Sequence, residues 1–197
     1  MAGRITQHLL LVAFVAVAAV GCATAPARFY TLDPAATPAD QPPVRYNVLV
    51  GPVIVPASVD RPQFVVQVAP NRVEIDEFNR WAAPLNDAIA RAVAGDLSAL
   101  LGTSDVALAP LANFNADYRV TLDVQRFESI QGEAVVIDAV WAVRKTATGE
   151  ARSGRTLARE TVAGKSYDAL AAAHSRALAR VSGDIAAAIR SETAAKP

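Results

Sequence analysis

The sequence predicts an α+β fold, in which a mostly antiparallel β-sheet carries two amphipathic helices packed on one face. Three patterns lead to this prediction. Long stretches in which apolar and polar residues alternate fill much of 118–161, and apolar residues recur at helical spacing in two other segments. Short turn sequences separate the alternating stretches, which favours neighbouring strands that run in opposite directions.

The first residues predict export. An uncharged apolar run at 9–20 is shorter than the roughly 20 residues of a membrane-spanning helix, and it has the length of the apolar region of a secretory signal. Arg4 supplies the positive charge ahead of this run. Gly21 and the single cysteine of the chain, Cys22, follow it in an arrangement that resembles the bacterial lipobox. We therefore expect a signal peptide at 1–21 and, as this resemblance implies, a covalent lipid on Cys22.

The neighbours of Cys22 bear on this interpretation in two ways. The lipobox favours Leu three positions before the cysteine, and this chain has Ala19, so a signal peptide that is cleaved nearby remains an alternative. Asp directly after the cysteine is the usual signal for retention at the inner membrane, whereas here Ala23 and Thr24 follow. The resemblance therefore implies the periplasmic face of the outer membrane.

The next segment, 22–43, is rich in Ala, Pro and Thr, and it predicts a flexible tether with one short strand at "RFYTL". A single α+β domain is expected at 44–192. It begins with a buried strand at "YNVLVGPVIVP", and a hairpin formed by "QFVVQV" and "RVEID" follows, with Pro70 and Asn71 in its turn.

Helical spacing replaces the strand pattern after this hairpin. Between Pro84 and Leu101 the apolar residues form one stripe, and Pro84 and Gly102 suit the beginning and the end of a helix. The residues of the stripe are Leu85, Ile89, Val93, Leu97, Leu100 and Leu101. We expect this helix to bury the stripe against the sheet.

The second half of the domain predicts a meander and a second helix. Its three strands are "YRVTLDVQRF", "EAVVIDAVWAVRK" and the more polar "RSGRTLARETVA", which suits a sheet edge. Turns are expected near Gly132 and Gly149. Ser166 is a favourable N-cap for the last helix. The buried stripe of that helix consists of Leu170, Ala173, Ala177, Val181 and Ile185.

Composition limits the possible chemistry. The chain has 19 basic and 19 acidic residues, so we expect no nucleic-acid partner. His174 is the one histidine after the signal peptide and is predicted to be a solvated or partly packed helix residue. No nucleophile elbow, P-loop, dinucleotide motif or metal-ligand pattern occurs, so we expect no enzyme, no metal and no cofactor other than the lipid. The acids Glu74, Asp76 and Glu77 leave a carboxylate enzyme open, although such a cluster is more typical of a solvated turn.

Four segments together resemble a known family. They are "YTLDP", "VGPVIVPASVDRPQFVVQV", "NRVEIDEFNRWAAPLNDAIARAVAGDL" and "AAAHSRALARVSGDIAAAI", and they are similar to the ABC-type transport auxiliary lipoproteins of the PqiC-like family. The resemblance implies a periplasmic partner of lipid transport systems built around mammalian-cell-entry (MCE) domain proteins. That family has no established catalytic residues, so none is assigned here.

Two functions follow from this interpretation. The first is a non-enzymatic accessory subunit that is held in the outer membrane by its lipid and binds an MCE-domain protein. The alternative is a stand-alone periplasmic carrier that holds an acyl chain between sheet and helices, and self-association stays open for either. The candidate partner-binding residues are Arg61, Pro62, Arg80 and Trp81. A structural role is the other possibility for Pro62, which would shape a strand entry, and for Trp81, which would pack in the core.

Overall fold

A computed structural model describes residues 25–194 of the 197-residue chain. The predicted signal peptide at 1–21 and the predicted lipid attachment site, Cys22, lie outside the described residues. Within 25–194, no helix is long and apolar enough to cross a membrane. The elements in chain order are β1 (Arg28–Tyr30), β2 (Val48–Ile54), β3 (Gln63–Ala69), β4 (Arg72–Trp81), α1 (Leu85–Leu101), β5 (Val106–Leu108), β6 (Tyr118–Ile130), β7 (Ala134–Lys145), β8 (Ala151–Thr161) and α2 (Tyr167–Ala194).

All eight strands belong to one curled sheet with β6 at its centre. Along one edge of β6 the predicted meander continues through β7 to β8. The other edge is shared, because β2 pairs with the first half of β6 and β3 pairs with its end. Strand β5 lies beyond β2, whereas β4 and then β1 lie beyond β3.

The predicted α+β class is confirmed, and the sheet is mixed. Its longest pairings are the antiparallel ones, β6 with β7 and β7 with β8, but β2 and β3 both run parallel to β6. The physical reason is the crossover through α1, which returns the chain to the sheet in its original direction. Alternation of side chains gives the two faces of each strand and carries no information on which strands become neighbours.

Both helices cover the same face of the sheet. Helix α1 packs over β2 and β5, and α2 packs over β7 and β8. The predicted inner face of β6, which includes Val120, Leu122 and Val124, is buried, and Arg119 and Asp123 on its other face are exposed. This difference confirms a one-sided layer at β6, whereas the first half of β7, residues 134–139, is buried on both faces. The largest fully buried side chains come from sheet and helices alike: Tyr118, Phe64, Leu85, Ile89, Leu97, Leu101, Leu122, Ile137, Leu170, Leu178, Ile185 and Ile189.

The predicted caps fit the observed helix ends. Gly102 has φ 68° and ψ 33°, the left-handed conformation that glycine adopts without strain, and its N–H donates to the Ser98 carbonyl at 3.0 Å. At the start of α2, the Ser166 hydroxyl accepts a hydrogen bond from the Ala169 N–H at 3.2 Å. Gly132 and Gly149 also have positive φ, in the two turns of the meander.

The segment predicted to be a flexible tether is instead docked on the domain from residue 28 onward, and we call residues 28–43 the strap. Its first part adds β1 to the edge of β4, and Tyr30 and Leu32 are buried. The strap ends beside the C-terminus of α1, where the Val44 N–H donates to the Leu101 carbonyl at 3.0 Å. The folded domain therefore begins before residue 44.

The middle of the strap is held by two adjacent residues of α1. Pro34 lies so close to Gly95 that a Cβ atom at position 95 would stand 2.2 Å from the proline Cγ. The neighbouring Asp96 is completely buried, and its Oδ1 accepts the N–H groups of Ala35 and Ala36 at 2.7 and 2.8 Å. The composition of the strap predicted a linker because the contacts that hold it leave no apolar pattern in its sequence. They use the surface of Gly95 on α1 and the backbone N–H groups of the strap.

Candidate functional site

Three of the four candidate residues line one pocket beside the start of α1. The segments 60–62 and 81–85 meet there, joined by a hydrogen bond from the Trp81 N–H to the Pro62 carbonyl at 2.7 Å. The pocket has a volume of about 340 Å³, is open to solvent and is lined largely by apolar side chains. It is lined by Asp60, Arg61, Pro62, Trp81, Ala82, Ala83, Pro84 and Leu85.

Arg61 brings an unpaired charge to this pocket. Its side chain is half-buried, and its Nε is buried without a hydrogen-bond partner in the described part of the chain. No ion pair of the guanidinium group with any residue of 25–194 is present either. A buried donor without an acceptor raises the free energy of the folded protein. The Nε is closed to other molecules, so a carboxylate or carbonyl group of a partner would bind the terminal Nη groups of this half-buried side chain. Arg61 is therefore equipped to receive an acceptor.

Trp81 forms the rigid wall of the pocket. The residue is only 5% exposed, and its ring stacks on Phe64 with 4.0 Å between centroids. Phe127 meets the indole edge-on at 5.9 Å. Trp81 is thus a core residue, which was the structural alternative, and it still contributes surface to the pocket. Because the aromatic cluster fixes this wall, the pocket is preformed.

Arg80 lies outside the pocket. Its Nε donates to the carbonyl of Glu77 at 2.7 Å, and its Nη2 lies 3.4 Å from the carboxylate of the same residue. In the sheet, Arg80 stands beside Phe29 of β1, whereas the next residue, Trp81, faces the core. Alternation along β4 thus separates two adjacent candidates onto opposite faces.

The prediction for His174 is wrong, because this side chain is completely buried. Its ring stacks on Phe127 at 3.9 Å with 4° between planes, and its Nε2 lies 2.8 Å from the Ser129 hydroxyl. Burial lowers the pKa of His174 to about 3, so the imidazole is neutral at physiological pH. A serine and a histidine thus meet in the core, closed to any substrate. A sequence signal existed, since position 174 comes four residues after the stripe residue Leu170 and directly after the stripe residue Ala173.

The acidic cluster on β4 is partly structural. Asp76 accepts the N–H groups of Phe78 and Asn79 at 2.8 and 2.9 Å and the hydroxyl of Tyr167 at 2.8 Å. Partial burial raises the pKa of Asp76, but its hydrogen bonds outweigh this effect and leave the pKa below its usual value. Asp76 therefore stabilises an irregularity in β4. Glu74 and Glu77 are instead exposed to solvent. Among the described residues, no cluster of His, Cys, Asp and Glu side chains could hold a metal ion.

Solved structures support the fold. A crystal structure of an uncharacterised protein is 22% identical, with a TM-score of 0.67, over 83% of this chain and 99% of the other. A Xanthomonas campestris protein assigned to the DUF330 family is also 22% identical with a TM-score of 0.67, over 81% of this chain and 93% of its own. A PelC dodecamer from Paraburkholderia phytofirmans is 19% identical over 76% of this chain and 88% of its own, with a TM-score of only 0.42.

Sequence comparison identifies the family. No curated protein matches the chain. The family described as "ABC-type transport auxiliary lipoprotein component" matches residues 30–186. The match spans every strand from Tyr30 of β1 onward and most of α2, and it includes the pocket and the strap residues that contact Asp96. The chain therefore belongs to the family of ABC-type transport auxiliary lipoprotein components.

Proposed function

We propose that the protein is a non-enzymatic accessory subunit of an ABC-type lipid transport system, which binds an MCE-domain protein in the periplasm. A lipid on Cys22 would hold it at the periplasmic face of the outer membrane. Family membership supports a membrane-anchored lipoprotein that assists transport. The residues around Cys22 and the resemblance described above supply the finer points, namely the outer membrane and the MCE partner.

The observation that carries this proposal is the preformed pocket with Arg61 at its rim. Rigid apolar walls provide the contact area, and a guanidinium group without an internal acceptor provides a point for a charge-assisted hydrogen bond. Both features suit recognition of a partner chain that presents an apolar side chain next to a carboxylate or a free carbonyl.

The packing between sheet and helices supports an accessory role over that of a carrier. A carrier would hold an acyl chain between these layers. Side chains from both layers, among them Leu97, Leu122 and Leu178, are completely buried there against one another. An acyl chain could enter only by displacing them, and opening a packed core costs several kcal/mol.

The test is a charge reversal at the rim of the pocket. We expect Arg61→Glu to weaken capture of the MCE-domain protein from detergent extract, because the substitution replaces the donor with a group that repels an incoming carboxylate. Arg119→Glu is the matched control, since Arg119 is an exposed arginine on the outer face of β6. Melting curves of both purified variants report the effect on folding, and we expect a change in stability of no more than about 1 kcal/mol.

Three outcomes would count against the proposal. Equal loss of capture in both variants would indicate a non-specific effect of charge. A collapse of the Arg61→Glu melting temperature would make Arg61 a structural residue. Stoichiometric phospholipid in the purified wild-type protein, together with full capture by Arg61→Glu, would favour the carrier.

A further inference from the structure

The short link between the predicted anchor and the folded domain restricts where the domain can lie. Cys22 precedes the first residue of β1, Arg28, by only six positions. Even a fully extended chain spans at most about 3.6 Å per residue, so this link reaches roughly 20 Å. The edge of the sheet at β1 must therefore stay close to the lipid headgroups.

That same edge exposes aromatic side chains. Phe29 on β1 is 64% exposed, and Phe78 on β4 is 42% exposed. Tyr30 faces the core, so Phe29 faces the outer side of the sheet, where its neighbour in register is Arg80. Phe78 precedes Arg80 by two residues. Ile75, 44% exposed, extends the apolar surface along β4, and we call Phe29, Ile75 and Phe78 the edge patch.

We propose that the edge patch lies in the headgroup region of the bilayer and sets the orientation of the domain on the membrane. The inference rests on the proposed function in one respect, the anchor at Cys22. Aromatic and aliphatic side chains next to arginines are suited to the membrane interface, where the rings are partly removed from water and the charges remain hydrated. Arg80 supplies such a charge beside the patch and pairs with Glu77, whereas Arg28 supplies another at the same sheet edge on the face of Tyr30.

The position of the patch selects lipid as its occupant. Another exposed hydrophobic residue, Leu157, is 64% exposed like Phe29, yet it lies on β8, which is separated from β1 by the four strands β4, β3, β6 and β7. Nothing holds Leu157 near the anchor, whereas the six-residue link holds Phe29 there. In this orientation β1 and β4 face the membrane, and β8 points into the periplasm.

The experiment places an environment-sensitive fluorophore at each end of the sheet. The full-length acylated protein, carrying Phe29→Cys, Phe78→Cys or Leu157→Cys, is labelled and reconstituted into vesicles of phosphatidylethanolamine and phosphatidylglycerol. Some of the lipid carries a nitroxide quencher near the headgroup. We expect several-fold stronger quenching at positions 29 and 78 than at 157. Position 157 is the matched control because its exposure equals that of Phe29.

The wild-type protein separates a failure of the inference from a failure of the anchor. An acylated Cys22 has no free thiol, so the wild-type protein should take up no label and should float with the vesicles. Label on Cys22 or loss of flotation would overturn the anchor and the inference with it. Vesicle-bound protein with equal quenching at 29 and 157 would overturn the inference alone. Protection of position 29 in lipid-free detergent at high protein concentration would also overturn the inference, because a second copy of the chain would then cover the patch. Protection of position 29 only after the MCE-domain protein is added would overturn it as well, because that partner would then cover the patch.

Discussion

His174 and Asp96 are both completely buried, and the protein accommodates the two side chains in different ways. Burial raises the pKa of the Asp96 carboxyl, and this effect is opposed by hydrogen bonds from the N–H groups of Ala36 and Ala35 and from the Ser182 hydroxyl. His174 bonds to Ser129 through Nε2 and packs against the rings of Phe127 and Trp81, and its Nδ1 has no hydrogen-bond partner in the described part of the chain. It therefore remains neutral, and its stability contribution depends on pH.

We predict that the free energy of unfolding falls on acidification in a window set by His174. The unfolded chain binds a proton near pH 6.5, whereas the folded protein resists protonation until about pH 3. Because the unfolded state binds more protons, stability is complete above pH 6.5 and decreases as the pH falls toward 3, by at most about 1.4 kcal/mol per pH unit from this group. Urea unfolding between pH 7.5 and 4.5 measures the slope.

His174→Gln is the matched variant for this prediction, since glutamine can still bond to Ser129 but does not titrate. Its stability at pH 7 should be lower than that of the wild type because the stacking on Phe127 is lost. Its slope between pH 6.5 and 4.5 should be shallower. Parallel curves for the two proteins would show that other groups cause the acid sensitivity.

At the scale of elements, the sequence predicted the parts whose signal is local. Both helix stripes, the caps at Gly102 and Ser166, and the meander from β6 to β8 follow from spacing and turn residues a few positions apart. The parallel neighbours of β6 could not be predicted, because they depend on contacts between distant segments. The strap was missed for a similar reason, since its docking partners, Gly95 and Asp96, lie about 60 residues away.

We predict that Gly95→Ala displaces the strap. The added Cβ would overlap Pro34, and such overpacking costs about 1–3 kcal/mol. Amide exchange at Ala35 and Ala36 should accelerate, because their hydrogen bonds to Asp96 break when the strap moves. Urea unfolding and mass spectrometry of exchanged peptides measure the two effects.

The control is a second helical glycine. Gly183 of α2 has open space around its missing Cβ, so Gly183→Ala should leave exchange in the strap unchanged and stabilise the protein by about 0.5–1 kcal/mol. If Gly95→Ala leaves exchange at Ala35 and Ala36 as slow as in the wild type, the strap is not held by close packing on α1.

At the scale of the whole molecule, the order of the strands determines where the pocket lies relative to the predicted anchor. The edges of the sheet are β1, β5 and β8, and β1 is the strand nearest in sequence to the predicted anchor. The pocket lies near β1, since Trp81 pairs in register with Tyr30. The sequence could suggest Arg61, Pro62 and Trp81 as candidates, because arginine, proline and tryptophan stand out near predicted strand ends. It missed that Arg80 lies on another face because the predicted strand ended at Asp76, whereas β4 continues to Trp81 and alternation therefore separates these two neighbours.

The last prediction is that Cys22 is required for membrane attachment and not for folding. Cys22 lies six residues before the first strand, so Cys22→Ser should leave the melting curve of the purified protein unchanged. It should nevertheless remove the protein from the outer-membrane fraction, because each buried acyl methylene contributes about 0.8 kcal/mol to membrane binding and serine cannot receive the lipid. The edge patch alone, at Phe29, Ile75 and Phe78, is too small to replace several acyl chains.

Ala23→Ser is the matched control, since it makes a similar change one residue later and keeps the thiol. Fractionation of cells that express each variant gives the answer. If Cys22→Ser sediments with the outer membrane as completely as Ala23→Ser does, the attachment of this protein to the membrane resides in the folded domain.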